Sequence, residues 1–143
     1  MYVQRGLMIV TALVAAAFTV NAGAQEKGTK NVDTRVFEMR TYYAHPGKMN
    51  ALHERFRKHT CKLFEKHGMT LVGFWSPTEA KEAEKKMVYI LAFPSRAAAT
   101  KSWDAFRNDL DWKAVKDASE KDGPLVMRVD SEFLSPTDYS PLK

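Results

Sequence analysis

The sequence predicts an α+β domain of the ferredoxin-like plan, β-α-β-β-α-β, in which helices cover one face of a four-stranded antiparallel sheet. Three observations carry this. Four short runs are rich in β-branched and aromatic residues, the first and last alternating in polarity and the middle two largely apolar, and the stretches between them switch to a three-to-four-residue apolar period. Glycine or proline stands at most of the changes of period. A chain of 143 residues, less an N-terminal leader, suits one domain with one core.

The leader comes first. Arg5 precedes an apolar run over residues 7–20 that closes in Ala22-Gly23-Ala24, the pattern of a secretory signal peptide spanning residues 1–24. The run is shorter than the roughly 20 residues that span a bilayer. The expectation is an exported protein, periplasmic or secreted, with no membrane attachment after cleavage. A lipid anchor would need a cysteine just past the cleavage site, and the single cysteine is Cys61, which also excludes an intrachain disulfide. Residues 25–34 are polar, lack apolar periodicity and read as a flexible leader.

Residues 35–43 form the first predicted strand, with Phe37, Met39 and Thr41 alternating against Glu38, Arg40 and Tyr42. Pro46-Gly47 ends it. Over residues 48–67 Met49, Leu52, Phe56, His59 and Leu63 recur at helical spacing, so this is an amphipathic helix; Gly68 is its C-cap, and Lys66 and His67 suit its dipole. Residues 70–76 and 87–93 make a hairpin around a solvated, charged loop. Ser95 is the N-cap of the second helix, which carries Ala99, Trp103, Phe106 and Leu110 on one face. Asp111 is the candidate cap of a short third helix over residues 112–121, which Gly123-Pro124 ends. The fourth strand, residues 125–134, sets Leu125, Met127, Val129 and Phe133 against Arg128, Asp130 and Glu132.

The third strand, MVYILAF, is apolar on both faces, as strands buried on two sides are. Helices cover only one of those faces. The other is expected to meet the same face of a second copy, giving a homodimer, with Glu38, Arg40, Arg128, Asp130 and Glu132 paired near the interface because an unpaired buried charge is costly. The formal charge of +5 is intermixed, as in Lys81, Glu82, Glu84, Lys85 and Lys86, and no basic run is interleaved with aromatics. No nucleic-acid partner is expected, and the charge serves solubility.

These elements contain familiar stretches. FEMRTYYAHPGKM, residues 37–49, resembles the opening strand-turn-helix of NIPSNAP domains, where Glu-x-Arg-Thr-Tyr leads to Pro-Gly. FPSRAAATKSWDAFRNDLDW, residues 93–112, is similar to the family's second helix, and SPTDYSP, residues 135–141, to its C-terminal tail. The resemblance places a NIPSNAP-like domain over residues 35–143 and implies a dimeric α/β-barrel architecture. It supplies no chemistry, since fold alone does not settle function. Proteins of this architecture include cofactor-independent monooxygenases, haem-handling enzymes and small-molecule binders.

The residues themselves exclude several classes. His45, His53, His59 and His67 are nowhere four apart on a helix, so no metal site is expected. No Gly-rich phosphate loop, G-x-S-x-G elbow or C-x-x-C occurs, and no cofactor is expected. His59, in the apolar stripe of the first helix, is the candidate general base or haem ligand; the alternative is a core-edge histidine held by one hydrogen bond. Trp75, Trp103, Phe106 and Trp112 are candidate walls of an aromatic ligand pocket, or plain core. Tyr89 offers a hydroxyl to a ligand or serves packing. Arg96 stands in the first turn of the second helix, where acids are preferred, and is the candidate contact for a ligand anion or partner chain. Glu38 and Arg40 read as an ion-pair network rather than an acid–base pair. Cys61 falls about 140° from the stripe centre and reads as an incidental thiol whose pKa Lys58 and Lys62 are placed to lower. The functional expectation is a small apolar or aromatic molecule bound in the helix–sheet cleft. The rivals are a cofactor-independent monooxygenase or haem-handling enzyme, and a non-catalytic homo-oligomeric interaction module.

Overall fold

The computed structural model describes residues 35–143, and the expected signal peptide and leader lie outside them. Four strands, β1 Val36–Ala44, β2 Thr70–Trp75, β3 Lys86–Phe93 and β4 Val126–Leu134, form one antiparallel sheet in the order β2-β3-β1-β4. The first helical rod runs through α1 Met49–Arg55, a π-helical turn over Phe56–Thr60, and α2 Cys61–Lys66. It ends at Gly68, whose φ of +73° is the left-handed conformation that favours glycine. A short α3, Ala80–Ala83, sits in the loop of the β2–β3 hairpin, where the sequence suggested only a solvated connection. α4 Arg96–Asn108 and α5 Leu110–Ser119 complete the helical layer.

Local chemistry explains the boundaries. Ser95 is extended, and its hydroxyl accepts a hydrogen bond from the Ala98 amide at 3.1 Å, the expected N-cap. Asp109, rather than Asp111, caps α5: its Oδ1 accepts from the amides of Asp111 at 2.7 Å and Trp112 at 3.4 Å. Two nearby aspartates are both competent caps, and the earlier one adopts the extended backbone that a cap requires.

The strand register settles which residues face which side, because directly opposed residues share a face. Glu38 opposes Leu91 and Phe133, and Arg40 opposes Tyr89 and Ser131. This is the helix-covered face, where Leu52, Phe56, Phe64, Tyr89, Leu91 and Phe106 form the centre of the core. On the outer face, Met39, Thr41 and Tyr43 oppose Glu132, Asp130 and Arg128. The five charges expected to gather at one interface are therefore divided by the sheet: Glu38 and Arg40 point at the helices, and the three β4 charges point outward.

Two irregularities correct the expected faces. A register shift between Tyr43 and Ala44 bulges β4 and leaves Met127 60% exposed rather than in line with Leu125. A second shift, between Leu71 and Gly73, lets the indole of Trp75 lie against Gly73, where a Cβ would come within 2.6 Å of the ring. Trp75 thus spreads over the outer face, 51% exposed, and takes no part in the helix–sheet core.

Candidate functional site

Strand alternation places Glu38 and Arg40, two residues apart, side by side under α4. Glu38 is 1% exposed, yet its carboxylate is fully engaged. Oε1 accepts from Arg40 Nη1 at 2.5 Å and Ser131 Oγ at 2.6 Å, and Oε2 accepts from Trp103 Nε1 at 2.5 Å. Each donor comes from a different element, so this one carboxylate ties β1, β4 and α4 together. A buried charge survives only when paired in this way.

Arg40 lies 4.3 Å from the centre of the Trp103 ring and 5.7 Å from that of Tyr42. Burial disfavours its charge, but Tyr89, Tyr42 and Glu38 outweigh that and hold its pKa above the ordinary arginine value. Tyr89 is completely buried; burial, reinforced by Tyr42, pushes its hydroxyl well above the usual tyrosine range. Neither group is fully paired. Among the described residues, the buried side-chain atoms without a hydrogen-bond partner are Arg40 Nε, Tyr89 Oη and Arg55 Nε. Two of these three belong to one cluster. The cluster reaches solvent at the α4–β4 edge, where the Arg40 side chain keeps 18% exposure and Ser131 is exposed. There the Arg96 guanidinium lies 3.2 Å over the ring of Phe133, the residue opposite Glu38.

The sequence-derived candidates are distributed differently from the expected single cleft. Tyr89, Trp103, Phe106 and Trp112 do converge, but as packed rings: Phe64 stands 5.4 Å from Trp103 and 4.9 Å from Phe106, and Phe106 stands 4.5 Å from Trp112. Arg96 guards the edge of the cluster. Trp75 is on the other face of the sheet.

His59 does not face the sheet. The π turn gives the helix one extra residue between Phe56 and Cys61, so the inward position falls to Thr60, 1% exposed, whose hydroxyl donates to the Arg55 carbonyl at 3.3 Å. His59 is turned out into a groove between the π turn and α5. The same rotation packs Cys61 against the core, where burial and then Glu65 raise its pKa, the reverse of the lowering expected from Lys58 and Lys62. His59 is therefore not placed to act as a base or haem ligand inside the helix–sheet layer.

Elsewhere, His53 Nε2 approaches Ser76 Oγ at 3.4 Å, and burial followed by Arg57 lowers its pKa. No group of three or more His, Cys, Asp or Glu among the described residues is placed to hold a metal ion. No helix among them is long and apolar enough to cross a membrane.

A ferredoxin-like α+β domain, with an Arg–Glu pair buried under its second helix and an apolar outer sheet face, is the class of protein that this geometry defines. The sequence profile of the NIPSNAP family matches residues 37–141, and the chain belongs to that family. Glu38, Arg40 and Tyr42 of the quoted Glu-x-Arg-Thr-Tyr motif are the residues that build the cluster.

Solved structures agree on the fold. A NIPSNAP family protein of unknown function from Agrobacterium tumefaciens superposes with a TM-score of 0.67 at 21% identity, over 78% of this chain and 96% of that one. An uncharacterized NIPSNAP-like domain protein from Burkholderia xenovorans gives 0.66 at 15% identity, over 76% and 90%. A variant of SnoaB, a cofactor-independent oxygenase from Streptomyces nogalater, gives 0.50 at 11% identity, over 76% and 98%, a likeness of fold alone. No curated protein matches the chain.

Proposed function

We propose that this protein is an exported, homodimeric binder of a small aromatic molecule that carries an acceptor oxygen, and that the ligand docks at the α4–β4 edge of the helix–sheet layer. One observation carries the reading: Arg40 Nε and Tyr89 Oη are buried, adjacent and unpaired beside a carboxylate whose own needs are met. Both groups present a hydrogen, so they select a carbonyl, phenolate or carboxylate oxygen. Arg40 lies over the rings of Tyr42 and Trp103 and Arg96 over that of Phe133, so the edge is built of aromatic rings and cations that suit an aromatic body carrying an acceptor oxygen. Glu38 acts as the counter-ion that fixes Arg40, its two oxygens already holding three donors.

Acetophenone, an uncharged aromatic ketone, is a suitable probe. It is expected to quench tryptophan fluorescence saturably in the purified protein, with binding lost in Arg40→Met and weakened in Tyr89→Phe. A linear, non-saturating response, or one indifferent to both substitutions, overturns the reading. Export is checked separately by N-terminal sequencing of the protein recovered outside the cytoplasm, which is expected to begin at Gln25.

A further inference from the structure

Next to the π-helical turn is a second place where charge is buried without full pairing. Arg55, at the end of α1, is 5% exposed. Its Nη1 donates to Ser119 Oγ at 3.2 Å and to Glu120 Oε1 at 2.9 Å, its guanidinium stands 5.2 Å from the centre of the Trp112 ring, and its Nε has no partner. Beside it, α1, the π turn and α5 border a groove of about 530 Å³, within the size range of small-ligand sites.

The groove has two chemically distinct parts. Ala51, Ala114, Val115 and Ala118 give a smooth, largely apolar wall; Arg55, Lys58 and His59 line the rest. The extra residue of the π turn is what turns His59 away from the sheet toward this groove, and π turns recur at functional sites. Acids are present but already committed. Glu54 pairs with Lys58 and, at 3.0 Å, with Arg57; Glu120 pairs with Arg55 and, at 3.1 Å, with Lys116. Each acid therefore meets two cations, and the local balance is positive.

We propose that this groove binds a small amphipathic anion, with a carboxylate held by Arg55, Lys58 and His59 and a short apolar body along the alanine wall. It is separate from the α4–β4 edge and shares no residue with it. The buried arginine supplies a fixed charge in a partly desolvated position, where an ion pair gains more than it does at the open surface. The lysine and histidine add adjustable donors at the rim.

Octanoate and 1-octanol distinguish head-group recognition from mere apolar partition. In calorimetric titrations of the purified protein, octanoate is expected to bind saturably, and octanol, at matched concentrations, not to bind. Ala118→Trp, which fills the groove from an exposed position, and Lys58→Glu, which reverses an exposed charge, are each expected to weaken octanoate by about tenfold, or about 1.4 kcal/mol, with unchanged circular dichroism. Tyr89→Phe, in the other proposed site, leaves octanoate binding as it is. Absence of saturable octanoate binding, equal binding of octanol, or octanoate binding untouched by Ala118→Trp each overturns the proposal. Neither site depends on the other, so acetophenone and octanoate fail or succeed independently.

Discussion

Leaving a buried hydroxyl unpaired costs about 1–3 kcal/mol, and the Tyr89 hydroxyl, beside Tyr42 and Arg40, makes no hydrogen bond of standard geometry. Tyr89→Phe is therefore expected to raise the unfolding free energy of the ligand-free protein, by about 1 kcal/mol, in urea denaturation. A loss of stability instead would show that Tyr42 holds the hydroxyl and that the cluster needs no ligand to complete it. The Trp103–Glu38 bond predicts the opposite sign. Its acceptor is a buried carboxylate, so Trp103→Phe removes a charge-assisted bond together with some packing, and is expected to cost about 1.5–3 kcal/mol by the same measurement. An unchanged midpoint would mean that Ser131 and Arg40 suffice for Glu38. The sequence placed these residues on the right elements, and alternation put Glu38 and Arg40 on one face. It did not say which face, because strand alternation is symmetric until something covers one side. The indole partner of Glu38 is a tertiary contact with no local signature.

At the scale of the element, the periods and punctuation of the sequence located every strand and the principal helices. Alternation over the strands, the apolar stripe of the first helix and Ser95 before the second are local signals, and local hydrogen bonding satisfies them. The π turn had no such signal. A helix read at 3.6 residues per turn sends His59 inward, and the extra residue is visible only once Thr60 and Phe64 are seen buried in its place. Asp109 at the start of α5 is equally a tertiary matter, since its second oxygen receives Lys66 Nζ at 2.8 Å and His67 Nε2 at 2.5 Å from the end of α2. Those two partners, then the Asp111 and Trp112 amides, hold its carboxyl well below the usual aspartate range despite a burial penalty. A carboxylate whose folded pKa is depressed contributes stability above its unfolded pKa and loses it as pH falls through the folded one. The wild-type protein is thus expected to lose thermal stability progressively below about pH 4, and Asp109→Asn to be less stable at neutral pH with a flatter acid limb. Parallel melting curves for the two proteins from pH 7 to pH 2 would remove Asp109 from that role.

For the whole molecule, the decisive feature is what the helices leave uncovered. Val72, Trp75, Val88, Ile90 and Met39 lie on the outer sheet face, and the charged Arg128, Asp130 and Glu132 are confined to the β4 margin. Phe37, on the same face, is only 8% exposed because the C-terminal tail turns back over one corner, where Pro136, Thr137 and Leu142 border a groove of about 290 Å³ with Phe37 and Ile90. The tail borders Val72 of β2 at that end of the sheet, while Trp75, at the end of the same strand, stays half exposed. An apolar centre with a polar margin is the anatomy of a protein–protein interface, and a flat sheet face meets its own copy through a two-fold contact. Val88 tests this directly, since it opposes Thr41 on one side and Trp75 on the other, between the tail and the open edge. The wild-type protein is expected to scatter light as a dimer at micromolar concentration, and Val88→Arg as a monomer with the same circular dichroism, because a guanidinium in an apolar two-fold contact meets its own copy. A wild-type monomer, or a dimer that tolerates the arginine, would mean that the outer face is not where two copies meet.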